Sequence, residues 1–427
     1  MIKIIRSTHQ MALARLFASR LQMGREGMET ARRILEEVRK DGDAALARLA
    51  KRLDGVDLKV EGFKVSEEEI RNAAREVPRE FVKALREASA NIRRVAQKQL
   101  PRPWRMANGK GVEIRQIVRP LERVACYVPA GRFPLPSTVL MSVIPAQVAG
   151  VREIFITTPR PSPAILAAAS LLGVRNVYRL GGAQAIAAFA FGTRTVPRVD
   201  KIVGPGNRYV ASAKSLVAGI CGIDFVAGPT EVAVAGSTGN PRWIAAELVA
   251  QAEHDPDALA VFITCSARLA TQVQKALGAI VKKLQAPVAQ ESLARQGAII
   301  LAKDLAEVMR LVNRLAPEHL LLLDDAAKRL NEVQSAGSIF LGCWSPVAAG
   351  DYASGPNHTL PTGGAARVRG GLSSADFVKA ITVQRLTPAG LARLRPTIIA
   401  LAAAEGLKAH AHSIETRFAD ASAAQGD

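Results

Sequence analysis

The sequence predicts an α/β protein with two parallel sheets, each covered by helices. Three observations carry that reading. From Arg123 onward, short runs of β-branched and apolar residues, each stopped by glycine or proline, alternate with helical stretches. The same rhythm restarts after Gly228. Hydrophobic residues make up 48% of the chain and aromatics only 4%, so Ala, Val, Ile and Leu fill the interior, as parallel strands buried on both faces require. A chain of 427 residues exceeds one typical core, so two or more domains are expected.

The first 22 residues read as a short leader without periodicity. From Met28 to Arg52 and from Ser66 to Gln99, apolar residues recur at helical spacing among many charges. "METARRILEEVRKDGDAALARLAKRL" predicts two amphipathic helices broken at Asp41–Gly42. The next strands are "RVACYVP", "EIFITTP", "NVYRL", "DKIVGPG" and "IDFVAGP". Helices are expected between them, over Ser137–Gly150, Pro163–Gly173, Ala183–Gly192 and Asn207–Gly219. A second set follows: "EVAVAG", "LAVFITC", "GAIILA", "HLLLLDD" and "GSIFLG". The amphipathic stretch "SADFVKAITVQRLTPAGLARL" leads into a helical tail from Pro388 to about Asp420. No internal repeat or low-complexity tract is visible.

The formal net charge of +19 suits a solubilising, self-repelling surface, with nucleic acid or an anionic ligand as the sharper readings. Its Lys and Arg are dispersed, with mild concentrations at Arg115–Arg123 and Lys282–Lys283. Aromatics are not interleaved among them, so nucleic acid is not the expected partner. The four cysteines lie far apart without a C-x-x-C pair, which suits reduced thiols in the cytoplasm. "MIKIIRSTHQ" has no signal-peptide pattern, and no apolar run approaches a membrane span.

Chemistry concentrates around a few of the six histidines. "QAEHD" holds Gln251, Glu253, His254 and Asp255; late on a helix, Gln251 and His254 would share a face. "GDYASGPNHTLPTGG" places Asp351 and His358 in a loop by composition. "EGLKAHAH" places Glu405, His410 and His412 on the terminal helix. "LAPEHLLLL" sets Glu318 beside His319 at the edge of a buried strand. Any one histidine is more often a cap or a surface residue than a ligand. Together, imidazole and carboxylate form a ligand set that suits zinc, although the spacing matches no zinc finger or H-E-x-x-H helix. Gly181–Gly182 and Gly204–Pro205–Gly206 stand between strand and helix, where backbone N–H groups meet phosphates. Neither matches G-x-G-x-x-G, so dinucleotide binding and ordinary loop glycines both remain open.

Taken in order, "YVPAGRFPLPSTVLM", "GGAQAIAA", "KIVGPGN", "AGPTEV", "QAEHD", "APEHL", "GDYASGPNHTLPTGGAAR" and "EGLKAH" resemble the histidinol dehydrogenases, over about Arg25 to Arg417. The resemblance implies oxidation of L-histidinol to L-histidine through the aldehyde, with two NAD+ and one zinc per site. It implies two incomplete Rossmann-like domains with helical N- and C-terminal extensions, in an intertwined homodimer. On that pattern the chain divides into a segment 1–22, a discontinuous metal and acid–base domain 23–122 with 229–372, an NAD-side domain 123–228, and a tail 373–427 that reaches the partner subunit. Carried over by position, the zinc ligands are Gln251, His254, Asp351 and His410. Glu318 and His319 are the acid–base pair. Thr230 and Glu405 join the ligands and His319 around substrate, and Tyr127, Gln184 and Asn207 line the NAD site. Glu405 and His410 come from the partner.

In this scheme His319 takes the alcohol proton and Glu318 activates water for the second oxidation. Zinc positions the substrate's nitrogens, and NAD carries the redox chemistry. The chain departs from the family text at Ala130, where Gly is common, at Thr230, where Ser is usual, and in "EVAVAGSTGNP", which lacks an Ala-Asp. These departures admit a relative acting on another small alcohol, such as a sulfonated diol. A zinc hydrolase using the same ligands would need neither the glycine loops nor Tyr127.

Overall fold

The computed structural model describes residues 2–18, 20, 25–108, 111–130 and 134–423. Residues 21–22 of the leader, Gly131–Phe133 of the "YVPAGRFPLPSTVLM" window and the last four residues lie outside these. The chain forms two compact units, Met1–Leu100 with Leu121–Phe377, and Pro101–Pro120 with Val378–Asp427.

The first unit holds two all-parallel sheets. One runs, edge to edge, Val177–Tyr178, Glu153–Thr157, Arg123–Tyr127, Lys201–Val203 and Gly222–Ile223. The other runs Lys3–Arg6, Ala298–Leu301, Leu259–Thr264, Glu231–Ala235, His319–Leu322 and Ser338–Leu341. Each strand expected after Arg123 is present. Glu231–Ala235 and Leu259–Thr264 are buried at every residue, which is why they read as near-continuous apolar runs, broken in the first only by Glu231. "IDFVAGP" is a strand only through Ile223, because Asp224 turns inward to pair with the buried Lys214. Removing one partner of such a pair costs about 3–5 kcal/mol.

Both sheets share one topology. In each, the strand that comes first after Arg123 or Gly228 lies centrally, the next two extend to one side, and the last two to the other. The six-stranded sheet adds Lys3–Arg6 outside its third strand. The leader therefore contains an edge strand, four residues long and too short to show periodicity.

Residues 25–99 fold as helices, with the break at Gly42, whose φ of +54° favours glycine. Ile34, Leu35, Val38, Leu46 and Leu49 join Tyr127, Phe155 and Phe189 in one core. This stretch, grouped above with 229–372, packs on the five-stranded half. The helix Gly182–Phe191 is buried through almost its whole length and needs a cover on its outer side, which the apolar stripe of Arg25–Asp41 supplies.

The second unit is a three-stranded antiparallel sheet, Val378–Leu386, Val112–Pro120 and Trp104–Ala107, followed by helices Pro388–Ala404 and Lys408–Ala423. The tail is thus helical only from Pro388. Ile381, Thr382 and Val383 are β-branched and favour the strand that precedes it. Strand register puts Trp104, Met106, Ile114, Val118 and Leu386 on one face with Gln116, Thr382 and Gln384, and Arg105, Arg115, Arg119, Lys379 and Arg385 on the other with Ile117, Ile381 and Val383. Trp104 and Met106 are exposed. No helix among the described residues is long and apolar enough to cross a membrane.

One glycine gives a test of the five-stranded half. Gly204 has φ +115°, and a Cβ there would lie 2.1 Å from the Tyr127 carbonyl oxygen. Gly204→Ala is expected to destabilise by about 2–4 kcal/mol. Gly219→Ala, where nothing lies within 4 Å, should leave stability nearly unchanged. Urea unfolding of both variants checks the difference.

Candidate active site

Two strands of the six-stranded sheet begin side by side, Glu231–Ala235 and His319–Leu322. Thr230 and Glu318 are the residues just before them. The site lies at the amino ends of these strands, opposite to the carboxyl ends where parallel sheets usually bind ligands.

Glu318 is 6% exposed and His319 4%. Thr230 Oγ1 donates to Glu318 Oε2 at 2.6 Å, and the Glu231 N–H donates to the same oxygen at 2.7 Å. The Gln251 side-chain amide donates to Thr230 Oγ1. A carbonyl oxygen can only accept, so the 3.0 Å contact between His319 Nδ1 and Glu231 O places a proton on Nδ1. Nε2 is buried, has no hydrogen-bond partner, and faces Asp351 Oδ1 at 3.4 Å.

Burial pushes the His319 imidazole down, but the charges of Glu318 and Asp351 outweigh it and raise the pKa to about 10. Protonated, the ring is no base. Asp351 is held low despite its burial, by His319 first and then by His358 and His254. His254 therefore shares a local field with Asp351.

Helix geometry brings these groups together. Gln251 is the penultimate residue of the helix Pro241–Ala252, and His254 lies two positions past that helix's end rather than on it. Asp351 lies in the last turn of the short helix Val347–Tyr352 rather than in a loop; Pro346 precedes that helix, and Gly350 packs where any Cβ would meet the Phe340 ring. His358 does lie in a loop, its Nδ1 at 2.9 Å from Asp351 O. Helix carboxyl ends carry partial negative charge, which favours a cation.

Glu405 and His410 are exposed residues of the second unit. Glu405 caps the carboxyl end of the helix Pro388–Ala404, Gly406 follows at φ +73°, and His410 lies on the next helix. Among the described residues, no cluster of three or more His, Cys, Asp or Glu side chains forms a ready metal site within the chain. Gln251, His254 and Asp351 supply one amide, one imidazole and one carboxylate, a donor chemistry that fits zinc once a fourth group is added.

The other expected residues gather at the carboxyl ends of the five-stranded sheet. Tyr127 ends the central strand, and its hydroxyl accepts from Gly182 N–H at 3.1 Å. Gln184 is fully buried; its Nε2 donates to Asp54 Oδ2 at 2.8 Å, while its Oε1 has no partner. Asn207 caps the helix Arg208–Val217, accepting from Tyr209 N–H at 3.0 Å and Val210 N–H at 3.1 Å. Tyr127 and Gly204 flank the point where strand order reverses, the usual dinucleotide crevice of such sheets.

Sequence reasoning missed Asp54, and it missed the buried pair of Arg20 and Glu231, 2.9 Å apart. It also missed how the glycine-rich loop is anchored: Asn357 donates to Met141 O at 2.6 Å, and Gly363 N–H donates to Glu231 Oε1 at 2.7 Å.

Two open parallel sheets, with an acid–imidazole pair at one and a glycine-lined crevice at the other, define an enzyme of the α/β class. The histidinol dehydrogenase family model matches residues 19–418. A histidinol dehydrogenase of Methanothermobacter thermautotrophicus is 48% identical over 91% of this chain and 92% of its own. One from Bacillus cereus is 46% identical over 91% and 92%. The crystal structure of histidinol dehydrogenase from Elizabethkingia anophelis superposes with a TM-score of 0.93 at 35% identity, over 99% of both chains. The chain belongs to the histidinol dehydrogenase family, and it is an oxidoreductase.

Proposed function

We propose that the chain oxidises L-histidinol to L-histidine through L-histidinaldehyde, the end of histidine biosynthesis, using two NAD+ and one zinc per site. The observation that carries this reading is His319 Nε2. It is buried and unpartnered beside Asp351, on a ring whose other nitrogen is committed to Glu231 O.

Gln251, His254 and Asp351 would hold zinc with the partner's His410, and the metal would supply a fixed anchor for the substrate's nitrogens. NAD would accept hydride, bound at the crevice of Tyr127, Gln184 and Asn207. The chain's own groups move the protons. His319 Nε2 takes the proton of the alcohol as hydride leaves the carbon. Glu318 activates the water that adds to the aldehyde, its carboxylate oriented by Thr230 Oγ1 and the Glu231 N–H. Thr230 keeps the hydroxyl that this orientation uses. The exposed apolar face of the second unit supports a homodimer, in which a neighbouring chain covers it and Glu405 and His410 reach the partner's site.

The test is NADH production from histidinol, set beside a panel of amino alcohols and diols, with and without added zinc. Two equivalents of NADH per histidinol, dependent on zinc, are expected. Turnover of a sulfonated diol in preference, or no NADH at all, refutes the proposal. A further expectation follows from the division of labour. Glu318→Gln should slow aldehyde oxidation about 10²-fold or more, and the alcohol step much less. Equal losses, in assays started separately from histidinol and from histidinaldehyde, contradict it.

A further inference from the structure

The backbone of one residue, Glu231, touches both members of the acid–base pair. Its N–H holds Glu318 Oε2 at 2.7 Å, and its C=O holds His319 Nδ1 at 3.0 Å. Its side chain points to a separate anchor. Oε2 pairs with Arg20 Nη1 at 2.9 Å, and Oε1 accepts from Gly363 N–H at 2.7 Å. Arg20 in turn donates through Nη2 to Leu315 O at 2.8 Å, three residues before Glu318. One guanidinium therefore spans the starts of both strands that carry the site. Glu231 is 1% exposed and Arg20 9%. Two buried charges are costly to keep where an apolar pair would fill the same space, so a role beyond packing accounts for them better.

We infer that Arg20 and Glu231 form a positioning dyad, which fixes the spacing of the two strand starts and thereby aims His319 Nε2 and the Glu318 carboxylate. Neither residue touches substrate. The inference rests on the acid–base reading of Glu318 and His319 given above. It deepens that reading by naming what sets their geometry. A fork that reaches two strands at once is a property of arginine, and lysine at this position would meet only one.

The test compares wild type with Glu231→Gln, Arg20→Lys and the double variant Arg20→Met/Glu231→Gln, which leaves no unpaired buried charge. Each is assayed for kcat and KM with histidinol and for zinc content. In the double variant kcat is expected to fall about tenfold or more with KM and zinc within about twofold of wild type, because misplacement of the base acts on the chemical step. Arg20→Lys should fall between. A second readout needs no substrate. The Nδ1–H of His319, assigned by its loss in His319→Ala, should be a slowly exchanging downfield proton resonance in wild type, and should exchange faster or shift in the double variant. Wild type that makes no NADH from histidinol but shows this resonance behaviour refutes the proposed reaction and leaves the dyad standing. Active wild type, with a double variant that keeps kcat within twofold and an unchanged resonance, overturns the dyad. A double variant that does not fold assigns the pair to the fold alone and overturns it too.

Discussion

His319→Ala is expected to lower kcat for histidinol oxidation by about 10³-fold while leaving stoichiometric zinc bound. Nδ1 is committed to the Glu231 carbonyl, so Nε2, once it has lost its own proton, is the ring atom that takes the proton of the alcohol. The ring is buried, so alanine also leaves a small cavity, and thermal unfolding of the variant should be followed beside its activity. His319 is a base and not a ligand in this scheme. Metal analysis of the purified variant therefore separates the two roles: loss of zinc together with activity would mean that His319 belongs to the metal's ligand set.

The second large effect concerns assembly. His410→Ala protein and His254→Ala protein should each be nearly inactive alone. Mixed under conditions that exchange subunits, they are expected to regain zinc and activity. In a dimer with shared sites, one site of each heterodimer collects both defects and the other none, so up to half of a heterodimer's sites recover. Were all four ligands drawn from one chain, every site would carry a defect and the mixture would stay at the level of the single variants. His254 belongs to one compact unit and His410 to the other.

The parallel strands were legible because burial on both faces removes polar residues from a strand and leaves its ends to glycine and proline. "EVAVAG" and "LAVFITC" became strands buried at every position. Glu318–His319 was legible for a related reason, as two ionisable groups adjacent to such a run. What stayed hidden depends on contacts distant along the chain. Arg20 meets Glu231 across 211 positions, and nothing in the leader's composition marks it. The common topology of the two sheets left no repeat in the residues, since many apolar sequences satisfy one strand order. The strand Val378–Leu386 was lost in an amphipathic stretch read through to the following helix, although its β-branched centre carried the signal.

The edge strand Lys3–Arg6 has a consequence for how the molecule is made. Among the described residues it pairs with the strand Ala298–Leu301 alone, and Ser7, the next residue, bonds Glu307, 300 positions on. During synthesis this strand must wait until most of the chain has emerged. A contact so distant in sequence forms late, after the loop it closes has been shortened by folding in between. The five-stranded half, whose strands lie between Arg123 and Ile223, has no such delay. Nascent chains halted before Ala298 should therefore hold a protease-resistant five-stranded half behind an N-terminal segment that is still cut. Protection of that segment should come only once the residues that pair with it have left the ribosome.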